Sequence, residues 1–167
     1  MVRKIMQFGM VILILFLTAC SAGITNLNEG YGSYQWKGEH YGIVEVNLSD
    51  ELKGDDAVLI NKARINFQTH IIARLVKTEL YDIKSKNKIL VTINQLHFKS
   101  GYIPPIARTF TGPDVIAGEV KLIKGDKPLA SFDVKIEYGK SSRGSSKYTW
   151  VGRKFAQLLI NFIINPQ

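Results

Sequence analysis

The spacing of apolar residues after residue 40 predicts strands separated by helices. Apolar side chains fall on alternate positions in segment 41–48, and segment 89–98 is rich in β-branched residues. Clear alternation returns in segments 116–122 and 130–138, with the turn sequence Lys-Gly-Asp-Lys at 124–127 between them. Alternation of this kind is typical of strands with one buried face, and the two last segments therefore predict a β-hairpin.

Two segments have helical periodicity instead. In segment 56–80 the apolar residues recur every three or four positions, as they do in segment 149–164. This period places them on one side of a helix, so each segment is predicted to be an amphipathic helix. Asp56 and Thr149 are suitable amino-terminal caps, and Asn165-Pro166 ends the second helix. The apolar stripe of the first helix comprises Ile60, Ala63, Phe67, Ile71 and Leu75.

These elements predict an α+β fold in the order β-α-β-β-β-α. We expect a mostly antiparallel sheet of about four strands, with two helices packed on one face. The predicted organisation is a single domain over 41–167, preceded by a flexible linker over 20–40 that is rich in Gly, Ser, Asn and Tyr. Within that linker, Tyr31, Tyr34 and Trp36 either pack on the domain or lie exposed, or they bind a glycan or the lipid interface.

The composition favours a folded chain and restricts its chemistry. The protein has 167 residues, of which 46% are apolar and 22% charged, with a formal net charge of +8. Its one cysteine excludes an intramolecular disulfide and a zinc site built on paired thiolates. Three widely spaced histidines predict no metal site.

The amino terminus has the features of an export signal. Arg3 and Lys4 precede the uncharged segment 8–19, which is shorter than the roughly 20 apolar residues of a membrane-spanning helix. The segment ends in the sequence Leu-Thr-Ala-Cys at 17–20, which resembles the bacterial lipoprotein box. An ordinary secretory signal or a membrane anchor is the alternative.

The lipoprotein resemblance implies a modified amino terminus. Residues 1–19 would be a signal peptide cleaved between Ala19 and Cys20, and Cys20 would carry a diacylglyceryl group and an amide-linked acyl chain such as palmitate. Ser21 stands where Asp favours inner-membrane retention, which implies the outer membrane, facing the periplasm. In a Gram-positive host, the anchor would lie on the outer face of the plasma membrane. Cleavage removes two cations and lowers the net charge to +6.

Motifs for catalysis are absent from the sequence. There is no G-x-S-x-G, H-E-x-x-H, Walker or dinucleotide-binding glycine pattern, and His40, His70 and His97 lie far apart. Catalysis requires converging groups with tuned pKa values, and the sequence indicates no such set. We therefore predict no catalytic residues, no metal and no cofactor, with an unrecognised hydrolase as the less favoured alternative.

A basic segment at 140–154 is the candidate binding site. It has five cations and no acidic residue, with serines around Gly144. Side-chain cations and backbone N–H groups can bind phosphate or carboxylate, although a solvated loop is the simpler interpretation. Nucleic acid is excluded as a partner by the predicted compartment. The five candidate binding residues are Lys140, Arg143, Lys147, Arg153 and Lys154.

The mature domain also resembles a known group. The helix at 60–80, the strand at 88–98, Ala107-Arg108 before the strand at 116–122, and the return strand at 129–132 are similar to uncharacterised bacterial lipoproteins whose domain resembles the amino-terminal domain of TolB. The curli-secretion lipoprotein and lipoprotein activators of penicillin-binding proteins use related domains. The resemblance implies a non-enzymatic adaptor, assembly factor or regulator that binds another envelope protein. It carries no site residue to this chain.

Overall fold

The computed structural model describes residues 22–27, 34–52, 57–97, 114–138 and 146–166. Within these ranges the chain forms five strands, two α-helices and a short 3₁₀ turn at Asp50–Leu52. In chain order the elements are β1 (Ala22–Leu27), β2 (Ile43–Leu48), α1 (Ala57–Lys77), β3 (Lys88–His97), β4 (Asp114–Lys124), β5 (Lys127–Tyr138) and α2 (Ser146–Ile164).

The strands form one sheet in the order β1-β5-β4-β3-β2. β2 and β3 are parallel and are joined through α1, while the other three pairings are antiparallel. A parallel pair needs a crossover connection, which explains why the first helix lies between these two strands in sequence. The predicted α+β class and mostly antiparallel sheet are confirmed.

The predicted count of about four strands is one too low. β1 lies in the segment predicted to be a flexible linker, and it pairs with β5 from Ala22 opposite Ile136 to Leu27 opposite Phe132. Its sequence, AGITNL, has no strong alternation of apolar and polar residues. β1 forms because the free edge of β5 offers backbone groups that need hydrogen-bond partners.

The strands define two ends of the sheet. At the first, which we call the Ala22 end, β1 begins, β5 ends at Tyr138 and β4 begins at Asp114 opposite it. β3 also ends there, with His97 opposite Val115. At the other end, which we call the Gly125 end, the tight turn at Gly125 joins β4 to β5 with φ of 60° at that glycine.

The core lies between the helices and one face of the sheet. Side chains at alternate positions of β3, β4 and β5 are buried, as the apolar pattern predicts, and α1 and α2 cover them. Burial of this apolar area is the main driving force for the fold. The largest fully buried side chains are Tyr41, Phe67, Phe132, Phe155, Ile71, Leu75, Ile89, Ile93, Ile116, Leu122, Ile136 and Leu159.

The opposite face of the sheet is polar. Glu119 on β4 stands opposite Asp133 on β5, and the Ser131 hydroxyl donates to the Glu119 carboxylate at 2.8 Å. Lys121 pairs with the same carboxylate at 3.1 Å, which offsets the repulsion between the two acidic side chains. Among the described residues, no helix is both long and apolar enough to cross a membrane.

Candidate functional site

The predicted site residues divide between described and undescribed parts of the chain. Lys147 lies in the first turn of α2, where only the backbone is described. Arg153 is exposed and Lys154 half-buried on the same helix. Four predicted site residues lie outside the described ranges, namely Ala19, Cys20, Lys140 and Arg143.

Chain connectivity nevertheless limits how far the predicted lipidation residue can lie from the sheet. Cys20 precedes Ala22 by two residues, so the two Cα atoms are at most about 7 Å apart. Lys140 follows Tyr138 by two residues and is restricted in the same way. Because Ala22 lies opposite Ile136, two residues before Tyr138, the predicted lipidation residue and the start of the basic segment leave the sheet at the same end.

An aromatic contact joins α2 to this end of the sheet. The rings of Tyr138, the last residue of β5, and Trp150, in the second turn of α2, have centroids 4.7 Å apart and planes at 42°. Trp150 is 36% exposed, and Arg153 lies one turn further along the helix. The described part of the basic segment is therefore packed beside the end of β5. We call Tyr138, Trp150 and Arg153 the Ala22 corner.

Arg153 is among the site residues predicted from the sequence, whereas Tyr138 and Trp150 are not. A tryptophan between cations is a signal that can be read in the sequence. Which strand end it contacts depends on the packing of α2 against the sheet, so the pairing with Tyr138 could not be found from spacing.

The two helices approach each other closely at Gly152. A Cβ at this position would stand 2.6 Å from Asn66 Oδ1 and 2.9 Å from His70 Cδ2, both on α1. The Asn66 Oδ1 atom is buried and has no hydrogen-bond partner among the described residues. One turn along, the rings of Phe67 and Phe155 pack edge to face. Gly152 is therefore favoured because α1 leaves no room for a larger side chain, and not because of its backbone conformation.

His70 lies in this helix interface. Burial lowers the pKa of its imidazole, and the positive charge of Arg153 lowers that pKa further. Among the described residues, His70 belongs to no group of three His, Cys, Asp or Glu side chains that could hold a metal ion.

A second polar cluster fixes segment 34–41 at the Gly125 end. Glu39 is buried, and its carboxylate accepts the backbone N–H of Lys37 at 2.7 Å and Lys124 Nζ at 3.4 Å. Burial alone would raise the pKa of Glu39, but the backbone N–H groups of Lys37 and Glu39 together with Lys124 outweigh it and lower the pKa. The Glu39 carboxylate thus holds segment 34–41 against the end of β4.

Tyr34 packs on the domain, which is one of the alternatives that the sequence leaves open; Tyr31 lies outside the described residues. Its ring stacks on Phe162 of α2 with centroids 5.9 Å apart, and its hydroxyl lies 3.3 Å from that of Tyr41. Burial raises the pKa of both phenols, so both stay protonated. Trp36 is 37% exposed and donates its indole N–H to the Glu39 carbonyl at 3.0 Å.

Comparison with known proteins shows that the fold of this chain is similar to that of solved structures. No protein-family model matches the chain, and no curated protein matches it. The chain is similar to the PelC dodecamer from Paraburkholderia phytofirmans at 11% identity and a TM-score of 0.51, over 84% of this chain and 95% of that chain.

Two further solved structures are similar. A single-substitution variant of the same PelC dodecamer matches at 11% identity and a TM-score of 0.51, over 84% of this chain and 96% of that chain. An uncharacterized protein matches at 13% identity and a TM-score of 0.47, over 78% of this chain and 93% of that chain. At such low identity, the likeness to PelC shows the fold alone.

Proposed function

We propose that this protein is a lipoprotein of the bacterial cell envelope, anchored to the outer membrane and facing the periplasm through acyl chains on Cys20. Its α+β domain would bind another envelope protein without catalysis, as an adaptor, assembly factor or regulator. The observation that carries the proposal is the lipoprotein-box sequence at 17–20, placed directly before the first strand of the fold.

The chemistry of the anchor supports this assignment. A thiol is the nucleophile that a diacylglyceryl transfer requires, and Cys20 is the only cysteine of the chain. One acyl chain gives marginal membrane binding, whereas several give a stable anchor. A triacylated Cys20 would therefore hold the domain at the membrane without a membrane-spanning helix.

Substitution of the lipidated residue tests the anchor. We expect the wild-type protein to fractionate with membranes and to carry acyl groups on the amino-terminal peptide by mass spectrometry. The Cys20→Ser variant should be unlipidated and lost from the membrane fraction, whereas Ser21→Ala should behave as wild type. A wild-type protein without acyl groups, together with a Cys20→Ser variant that still fractionates with membranes, would refute the proposal.

Crosslinking in intact envelopes tests for a partner protein. A second copy of this chain is the first partner to be tested. Both PelC structures are dodecamers, and we include a homo-oligomer of this chain in the proposal on the support of the shared fold. Light scattering of the lipidated protein in detergent should then give a multiple of the monomer mass. A monomer by light scattering, together with no specific crosslinked partner, would remove the adaptor proposal.

A second candidate function is binding of an anionic envelope ligand, such as peptidoglycan or lipid headgroups. The excess of cations in segment 140–154 favours it. Charge reversal by Arg143→Glu with Lys147→Glu should abolish sedimentation with that ligand, and the wild-type binding should weaken as salt increases. Unchanged sedimentation of the double variant would exclude this function.

A further inference from the structure

We infer that the Ala22 corner docks on the anionic headgroups of the same membrane that holds the acyl chains of Cys20. Tyr138, Trp150 and Arg153 form the contact, so the domain has one fixed face toward the lipid and presents its Gly125 end to the aqueous side. This inference rests on the proposed lipidation of Cys20 and adds the orientation of the domain on its anchor.

The tether between Cys20 and the sheet is short. One residue, Ser21, separates Cys20 from β1. A flexible linker over 20–40 would give the domain a reach of about 25 Å, estimated from the root-mean-square length of a Gly/Ser-type chain of this size. With β1 paired to β5 from its first residue, the reach falls to about 7 Å. The Ala22 end therefore stays within the thickness of the headgroup region.

The side chains of the Ala22 corner are of the types that bind at a membrane interface. Trp and Tyr have an apolar ring and a polar edge and are enriched at membrane–water interfaces. Trp150 is partly exposed, although it contacts Tyr138, so one part of its ring is free to meet lipid. Arg153 is exposed and its guanidinium can bind lipid phosphate through two N–H groups.

The chain segments that join the strand ends found here carry positive charge. Residues 98–113, between β3 and β4, and 139–145, between β5 and α2, lie outside the described residues, and their sequence contains four cations and no Asp or Glu. Two acidic residues of the strands lie at this end: Asp114, opposite Tyr138, is buried, and Glu137 is paired with Lys135 at 2.7 Å. The acidic residues Asp50 and Glu51 follow β2, the opposite edge strand, about 19 Å from β1 across four strand spacings. Attraction to anionic lipid thus acts on the β1–β5 side.

The two tryptophans of the chain provide a direct test, because they lie at opposite ends of the domain. The indole N–H of Trp36 donates a hydrogen bond to the backbone carbonyl of Glu39. The Glu39 carboxylate in turn pairs with Lys124 at the Gly125 end. Trp36→Phe leaves Trp150 as the one tryptophan of the chain, and Trp150→Phe leaves Trp36; excitation at the red edge of the tryptophan band avoids the seven tyrosines. Each lipidated variant is inserted in vesicles of phosphatidylethanolamine and phosphatidylglycerol that contain a headgroup-labelled nitroxide quencher.

The expected result is loss of most Trp150 emission and no change in Trp36 emission. A flexible Gly/Ser insertion between Ser21 and Ala22 should keep the lipid but restore Trp150 emission. Arg153→Glu should weaken quenching in phosphatidylglycerol vesicles, whereas Lys127→Glu, an equal charge change on an exposed residue at the Gly125 end, should not. Circular dichroism of each variant checks that the fold is retained.

Each other outcome overturns the inference. Unquenched Trp150 in a protein shown by mass spectrometry to be lipidated means that the corner faces away from the membrane, while the lipoprotein proposal stands. If a photo-crosslinker at Arg153 then captures an envelope protein, the corner is a protein-binding surface. Equal quenching of both tryptophans means that the domain has no fixed orientation. Absence of acyl groups refutes the proposed function itself.

Discussion

The rings of Phe67 on α1 and Phe155 on α2 pack edge to face, with centroids 5.2 Å apart and planes at 78°. Both side chains are fully buried. This contact joins the two helices directly above the sheet, so it connects a helix from the middle of the chain to the helix that ends it. It fixes where α2 lies against α1, while Phe162 and Trp150 of α2 contact Phe132 and Tyr138 of β5.

The first prediction concerns this aromatic pair. Phe155→Ala should lower the free energy of unfolding by about 3–5 kcal/mol, because it removes a buried ring and leaves a cavity between the helices. Urea denaturation followed by circular dichroism measures the change. Phe155→Leu, which keeps most of the volume, should cost clearly less, and equal losses in the two variants would show that packing at this position is not the cause.

The second prediction concerns the close approach of the helices at Gly152. Gly152→Ala should destabilise the protein by about 1–3 kcal/mol, since the new methyl group meets Asn66 and His70. The better helix propensity of alanine offsets up to about 1 kcal/mol of this cost.

A double-mutant cycle separates the two effects. In an Asn66→Ala background the cost of Gly152→Ala should shrink, because the nearest obstructing atom is gone. Additive free-energy changes in the two single variants and the double variant would show that Asn66 does not obstruct the methyl group.

The third prediction concerns pH and Glu39. The folded-state pKa of Glu39 is lowered from its ordinary value of 4.5, so its stabilising contribution is present above that pH and is lost as the pH falls through the folded-state value. Glu39→Gln should lower the free energy of unfolding by about 1 kcal/mol at neutral pH and by less in acid. Urea midpoints across this pH range give the test, with Glu45→Gln, at an exposed position of β2, as the control.

The fourth prediction concerns His70. Its pKa is lowered from 6.5, so below that pH the unfolded chain takes up a proton that the folded protein resists, and stability declines as the pH falls. Arg153→Gln removes one of the two causes and should raise the pKa of His70, which an NMR titration of its ring protons measures. Lys127→Gln should leave the titration unchanged. An unaltered His70 titration in Arg153→Gln would assign the whole shift to burial.

Much of the fold could be predicted from local periodicity. Ile116, Val120 and Leu122 on β4 are buried as alternation indicates, and the turn at Gly125 joins the two strands of the predicted hairpin. The helical stripe that includes Phe67 and Leu75 faces the sheet. These features are predictable because a buried face imposes its period on the sequence itself.

The candidate site was only partly predictable. The cations of the basic segment can be found by counting, but the contact between Tyr138 and Trp150 joins residues from different elements. β1 was missed for a related reason, since its six residues become a strand only where the edge of β5 is available to pair with them. Pairing between distant segments depends on the whole fold, so composition alone predicted a linker.

The order of the helices and of the last four strands, with their buried faces, follows from local periodicity, and the motif that predicts a lipid on Cys20 can be found in the same way. The pairing of β1 with the last part of β5, and the position of Trp150 and Arg153 at that end, depend on the tertiary structure. Periodicity is a property of neighbouring residues, whereas burial of the shared core selects which strand edges and helix faces meet.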